Sequence, residues 1–174
     1  MKRLILILIF TLPMASFISA QELKFGNEDL SKVIKEKVSA IYETKGNTQF
    51  FMTSESFQST KTLGTEIIAY SSQGIYNRVI TKGFSKNGLM ATEWFFEENK
   101  LIFVFEVFEY FEESNKKSNW RNFKGISSWE GRYYFHNDEL VFYKHTGRES
   151  IAENFNGKRL VQLSKQLKEF LTKN

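Results

Sequence analysis

The sequence has no cysteine. Disulfides, thiol nucleophiles and thiolate metal sites are therefore excluded, and the fold must be held by a packed core. Histidine is nearly as scarce. The only two, His136 and His145, lie in one stretch, "EGRYYFHNDELVFYKH" (130–145). A zinc site would have to draw carboxylates from elsewhere, so neither a metal nor a cofactor is expected. Aspartate is confined to Asp29 and Asp138. The single proline is Pro13, and no proline- or glycine-rich linker follows it, which points to one domain. No phosphate-cradling glycine loop or dinucleotide fingerprint is present. "GISSW" (125–129) is half of a nucleophile elbow, but Trp129 stands where a second glycine is needed. That argues against Ser127 as a nucleophile.

A large excess of one charge is also missing. Lys2 and Arg3 supply two of the net +4 charges, so the rest of the chain is close to balanced and no nucleic-acid partner is expected. Those two residues open "MKRLILILIFTLPMASFISA". A basic end, an apolar run from Leu4 to Leu12 and small residues up to Ala20 make the three-part pattern of a secretory signal peptide. The run is shorter than the roughly 20 residues needed to span a bilayer. Cleavage after Ala20 is expected, with no stable membrane insertion afterwards. Residues 21–174 then form a single domain in the periplasm or outside the cell.

What the chain has in quantity is aromatic side chains: 18 Phe, 7 Tyr and 3 Trp, all but Phe10 and Phe17 beyond residue 20. Asn27 can cap a helix over "EDLSKVIKEKVSAIYE" (28–43), in which Leu30, Val33, Ile34, Val38, Ile41 and Tyr42 recur at helical spacing. From Thr48 to His145 the period moves towards two, in aromatic and β-branched runs separated by Gly, Asn and Ser. A polar insertion, "EESNKKSNWRNFKGISS" (112–128), interrupts them. A last helix is expected over 156–172, with Leu160, Leu163, Leu167, Phe170 and Leu171 as its apolar stripe and Lys158, Arg159, Lys165 and Lys168 in water. The fold class is α+β: a curved antiparallel sheet of about six to seven strands bracketed by N-terminal and C-terminal helices.

One repeat is visible. "EWFFEENKLIFVFE" (93–106) aligns with "RYYFHNDELVFYKH" (132–145) at an offset of 39 residues, matching Phe96 with Phe135 and Leu101 with Leu140. Two aromatics, Phe, a polar turn and Leu make a pattern that resembles strand pairs in small exported bacterial proteins of unknown function. The resemblance covers these two hairpins alone and carries no catalytic residue.

Strand parity from the turn assigns faces. With Phe135 opposite Leu140, Tyr133 faces Phe142, Arg132 faces Tyr143 and Glu130 faces His145. Tyr133, Phe135, Leu140 and Phe142 then form the core face. Arg132, Tyr134, His136, Tyr143 and His145 share the outer face, a candidate binding surface rich in Tyr and Arg. Trp120 in the insertion is a further binding candidate. In the other hairpin the same rule puts Met90, Trp94, Phe96, Leu101, Phe103, Phe105 and Val107 on one face. Glu93 and Glu106 fall together on the second, the one carboxylate pair able to serve as acid and base in glycoside hydrolysis. Both faces of 90–107 are largely apolar, as in a strand pair covered on both sides.

These features favour an exported, non-enzymatic binding module, of an inhibitor or immunity type, directed at a protein or cell-envelope component. The alternative is a carrier of an apolar ligand such as a lipid, held between sheet and helix.

Overall fold

The structure, a computed structural model, describes residues 23–58, 62–85, 88–111, 125–147 and 157–174. The stretch read as a signal peptide lies outside the described residues. Eight strands form one antiparallel sheet: β1 (Leu23–Gly26), β2 (Asn47–Thr53), β3 (Thr65–Ser72), β4 (Ile75–Phe84), β5 (Gly88–Glu97), β6 (Lys100–Phe111), β7 (Gly125–His136) and β8 (Glu139–Gly147). The two helices are α1 (Glu28–Glu43) and α2 (Gly157–Lys173). Strands β2 to β8 follow one another across the sheet, and β1 adds to the outer edge of β8. The expected α+β architecture is present, with seven strands in the meander and β1 as an eighth. β7 also begins at Gly125, so four residues assigned to the polar insertion belong to a strand.

Three of the hairpins are built in one way. Each turns on two residues with positive φ: Gln73 and Gly74 (52° and 79°), Glu98 and Asn99 (47° and 64°), Asn137 and Asp138 (51° and 62°). Two positive φ values in a two-residue turn match the right-handed twist of the flanking strands. Each hairpin then pairs two residues on either side. Next comes a bulge, where Asn77, Ile102 or Val141 stands as an extra residue on the returning strand. The repeat therefore has three copies, the first beginning in "AYSSQGIYNRV" (69–79).

The bulge reverses the face assignments beyond it. Phe135 still pairs with Leu140, but Tyr134 pairs with Phe142, Tyr133 with Tyr143, Arg132 with Lys144 and Gly131 with His145. In the other hairpin, Phe96 pairs with Leu101, Phe95 with Phe103 and Trp94 with Val104. An extra residue shifts the alternation by one, so every more distant residue of the returning strand changes side. Phe103 and Phe142 move off the face of Phe96 and Phe135, and Val104 and Tyr143 move onto it.

The helices lie on opposite faces. α2 packs Leu160, Leu163, Leu167 and Leu171 into the larger core with Ile67, Trp94, Val104, Tyr133 and Phe135. α1 packs Ile34 and Val38 against Phe95, Ile102, Tyr134 and Phe142. The two-sided apolarity of the β5–β6 hairpin is thus accounted for by the helices. The entry to α1 is fixed locally. The Asn27 Oδ1 accepts a hydrogen bond from the Leu30 N–H at 3.0 Å, and the Asn27 N–H donates to the Val141 carbonyl at 2.8 Å. Gly26, at φ 109°, could carry no side chain, because a Cβ would lie 2.2 Å from the Val141 oxygen. α2 is fastened to two of the turns. Lys168 donates to the Asn99 carbonyl at 2.5 Å, and Lys165 pairs with Asp138 at 3.5 Å. Lys168 is half-buried over the Phe96 ring, not in water as its spacing suggested, and this burial pushes its ammonium pKa down.

The bulge makes a test of faces. Val104 is fully buried beneath α2, whereas Val107 is half-buried on the other side. Val104→Ala is expected to cost about 2 kcal/mol and Val107→Ala less than about 1 kcal/mol in urea denaturation. The reverse ranking would refute the register.

Candidate functional site

The six side chains singled out in the sequence do not form one surface. Trp120 lies outside the described residues. His136 is exposed beside the β7–β8 turn. His145 is only 7% exposed and lies on the α2 face, a correction that follows from the extra residue Val141. Its ring stacks on Trp129 with centroids 5.9 Å apart and meets Tyr133 and Tyr143 edge-on at 5.2 and 5.4 Å. Tyr143 changes face with it and packs against the larger core.

Arg132 and Tyr134 remain together on the α1 face. They line an open groove of 710 Å³ between α1 and the β6–β8 strands, with Lys35, Phe103, Glu130 and Lys144. The floor is aromatic. Phe103 and Tyr134 have ring centroids 4.8 Å apart, and the Arg132 guanidinium sits 4.7 Å above the Phe105 ring. The walls are cationic. Lys35 reaches over Tyr134 from the helix, with its ammonium 5.7 Å from the ring centroid. Arg132 and Lys144 are placed directly opposite each other by the sheet register. Like charges directly opposite on neighbouring strands repel. Glu130 offsets part of that repulsion through an ion pair with Arg132 at 2.8 Å. Burial pushes the Tyr134 phenol up against the opposing pull of Arg132, which keeps it a neutral donor at the groove floor. Lys35 and Lys144 were not legible as site residues. Lys35 reads as part of a wet helix face, and parity without the bulge sends Lys144 to the core side.

The carboxylate pair does not exist. Glu93 pairs in register with Phe105 and faces α1, while Glu106 pairs with Thr92 and faces α2. Glu106 is 1% exposed and accepts a hydrogen bond from the Thr92 hydroxyl at 3.4 Å. Glu93 binds Arg78 at 2.5 Å and accepts from the Tyr42 hydroxyl at 2.5 Å. The Arg78 guanidinium in turn lies between the rings of Tyr42 and Tyr70, 4.2 and 4.7 Å from their centroids. Arg78, the residue after the first bulge, thereby ties the end of α1 to the polar half of the sheet.

Tyr42 reports on that tie. Burial of its hydroxyl end, then the hydrogen bond and charge of Glu93, push its pKa from 10.0 to about 12, with Arg78 opposing. The folded value is raised, so the contribution to stability is constant below pH 10 and is lost as the pH rises towards 12. Glu93→Gln is expected to bring the Tyr42 titration back towards 10, read from its ¹³Cζ shift, because the raising charge is removed and Arg78 remains. An unchanged titration would dismiss the Glu93 contact. The chain matches no known protein family, curated protein or solved structure.

Proposed function

We propose that this protein is an exported, non-enzymatic binding module that captures an anionic group of a protein or cell-envelope component in the groove between α1 and β6–β8. The observation that carries the proposal is the direct opposition of Arg132 and Lys144 across two paired strands, with Lys35 facing them from the helix. The register brings the two cations to one place on the groove wall, where a single anion can meet both. A carboxylate or phosphate set between them would relieve the repulsion and add charge-assisted hydrogen bonds. The aromatic floor of Phe103 and Tyr134 suits an apolar segment next to that anion. An acidic peptide strand or an acidic envelope polymer has both features.

The reading separates binding from folding. Lys144→Thr places a good strand former at a half-buried strand position and is expected to leave the fold intact. The same change is expected to weaken binding of an oligoglutamate peptide by about tenfold, as loss of one charge-assisted contact implies. Arg132→Ala with Lys35→Ala should abolish it, and raising the salt concentration should weaken the wild type. Isothermal titration and thermal denaturation read both quantities. A Lys144→Thr protein that binds as the wild type does would remove the groove from consideration.

A further inference from the structure

The two edges of the sheet are unlike. β1 has four residues and includes Lys24, and natural sheets protect their edges with short strands and lysine of this kind. β2, at the other edge, has seven residues, "NTQFFMT", with no charge and no proline. Its register with β3 runs from Asn47 to Thr53 without a bulge. Phe50 and Met52 are 70% and 79% exposed; they lie on the α1 side of the sheet, beyond the strands β5 to β8 on which the apolar residues of α1 pack. Among the described residues no strand pairs with its outer edge, and a regular, uncharged edge strand is a template for another strand.

We infer that β2 is a self-association edge, and that its partner is β2 of a second copy of this chain, paired antiparallel about a two-fold axis at Phe50. The sequence suits that register. Phe50 would lie opposite the second copy's Phe50, Gln49 opposite Phe51, Thr48 opposite Met52 and Asn47 opposite Thr53. The flanks add charge complementarity: the same register brings Lys45 of each copy to Glu55 of the other, and both residues are exposed. The axis repeats this pair, so two ion pairs would frame an uncharged strand pair. The contact closes on itself, as an isologous contact must, and gives a dimer with one continuous sheet. It lies at the edge away from β8 and does not involve the groove.

Sedimentation velocity of the purified protein over a wide concentration range tests the inference. The wild type is expected to pass from monomer to dimer. Phe50→Lys sets two ammonium groups opposite each other and removes an aromatic pair, so dimerisation should weaken about tenfold. Mixing Phe50→Lys with Phe50→Glu should restore a dimer containing one of each. Lys45→Glu should weaken the dimer, and Lys45→Glu combined with Glu55→Lys should recover it, a result that a merely destabilised fold would not give. A wild type that stays monomeric throughout overturns the inference. So does a dimer indifferent to Phe50→Lys, or a mixture of the two Phe50 variants that forms no dimer.

Discussion

One extra residue in each of three returning strands decides what this protein presents to each of its helices. Asn77, Ile102 and Val141 each stand as the third residue of the strand after a tight turn. Near the turn the alternation of side chains is undisturbed. Beyond the bulge it is reversed, and the strand delivers its next residues to the opposite face. Trp94 therefore meets Val104 under α2, and Phe95 meets Phe103 under α1. A bulge also adds local twist, and these three, with a further irregularity between β6 and β7 at Phe108/Glu109, help curve the sheet around its helices.

The elements with local signals were legible. Apolar spacing and the Asn27 cap placed α1 over 28–43, where it is found, and the leucine stripe placed α2 within one residue of Gly157–Lys173. The turn pairs Phe96–Leu101 and Phe135–Leu140 were also legible, because a two-residue turn fixes the first pairs on its own. The bulges were not. Ile102 and Val141 are ordinary strand formers, and nothing in their chemistry marks them as extra. Tyr143 and His145 were misplaced for that reason, and Glu93 and Glu106 were set on one face. The first of the three hairpins does not show its kinship in sequence, because Ser71, Asn77 and Arg78 stand where the other copies have Phe96, Ile102 and Phe103, or Phe135, Val141 and Phe142. β1 is too short to carry a period. Of the groove, Arg132 and Tyr134 could be read from the sequence, while Lys35 and Lys144 needed the tertiary register.

The difference between the first hairpin and the other two divides the labour of the α1 face. Where the bulge is followed by Phe103 or Phe142, that face is apolar and the helix sits down on it. Where it is followed by Arg78, the face is polar and the helix is held at its end by one guanidinium clasped between two tyrosines and a glutamate. Among the described residues, the apolar side of helix α1 consequently packs on β5 to β8, and the helix meets β4 through the contact of Tyr42 with Arg78. The groove opens where helix and sheet meet along β7 and β8, with side chains from both.

The pairing of β1 with β8 sets an order on assembly. Strands β2 to β8 join neighbours in sequence, so most of the sheet zips through local connections, and the longer ones, at 54–64 and 112–124, add only a slowly growing closure entropy. β1 cannot pair until β8 exists, although it stands at the other end of the chain. Asn27, Gly26 and the start of α1 dock on Val141, the extra residue of the last hairpin. Helix α1 therefore obtains its fixed position only after β8, which is synthesised long after it. A nascent chain would keep β1 and the start of α1 unanchored until β8 had emerged.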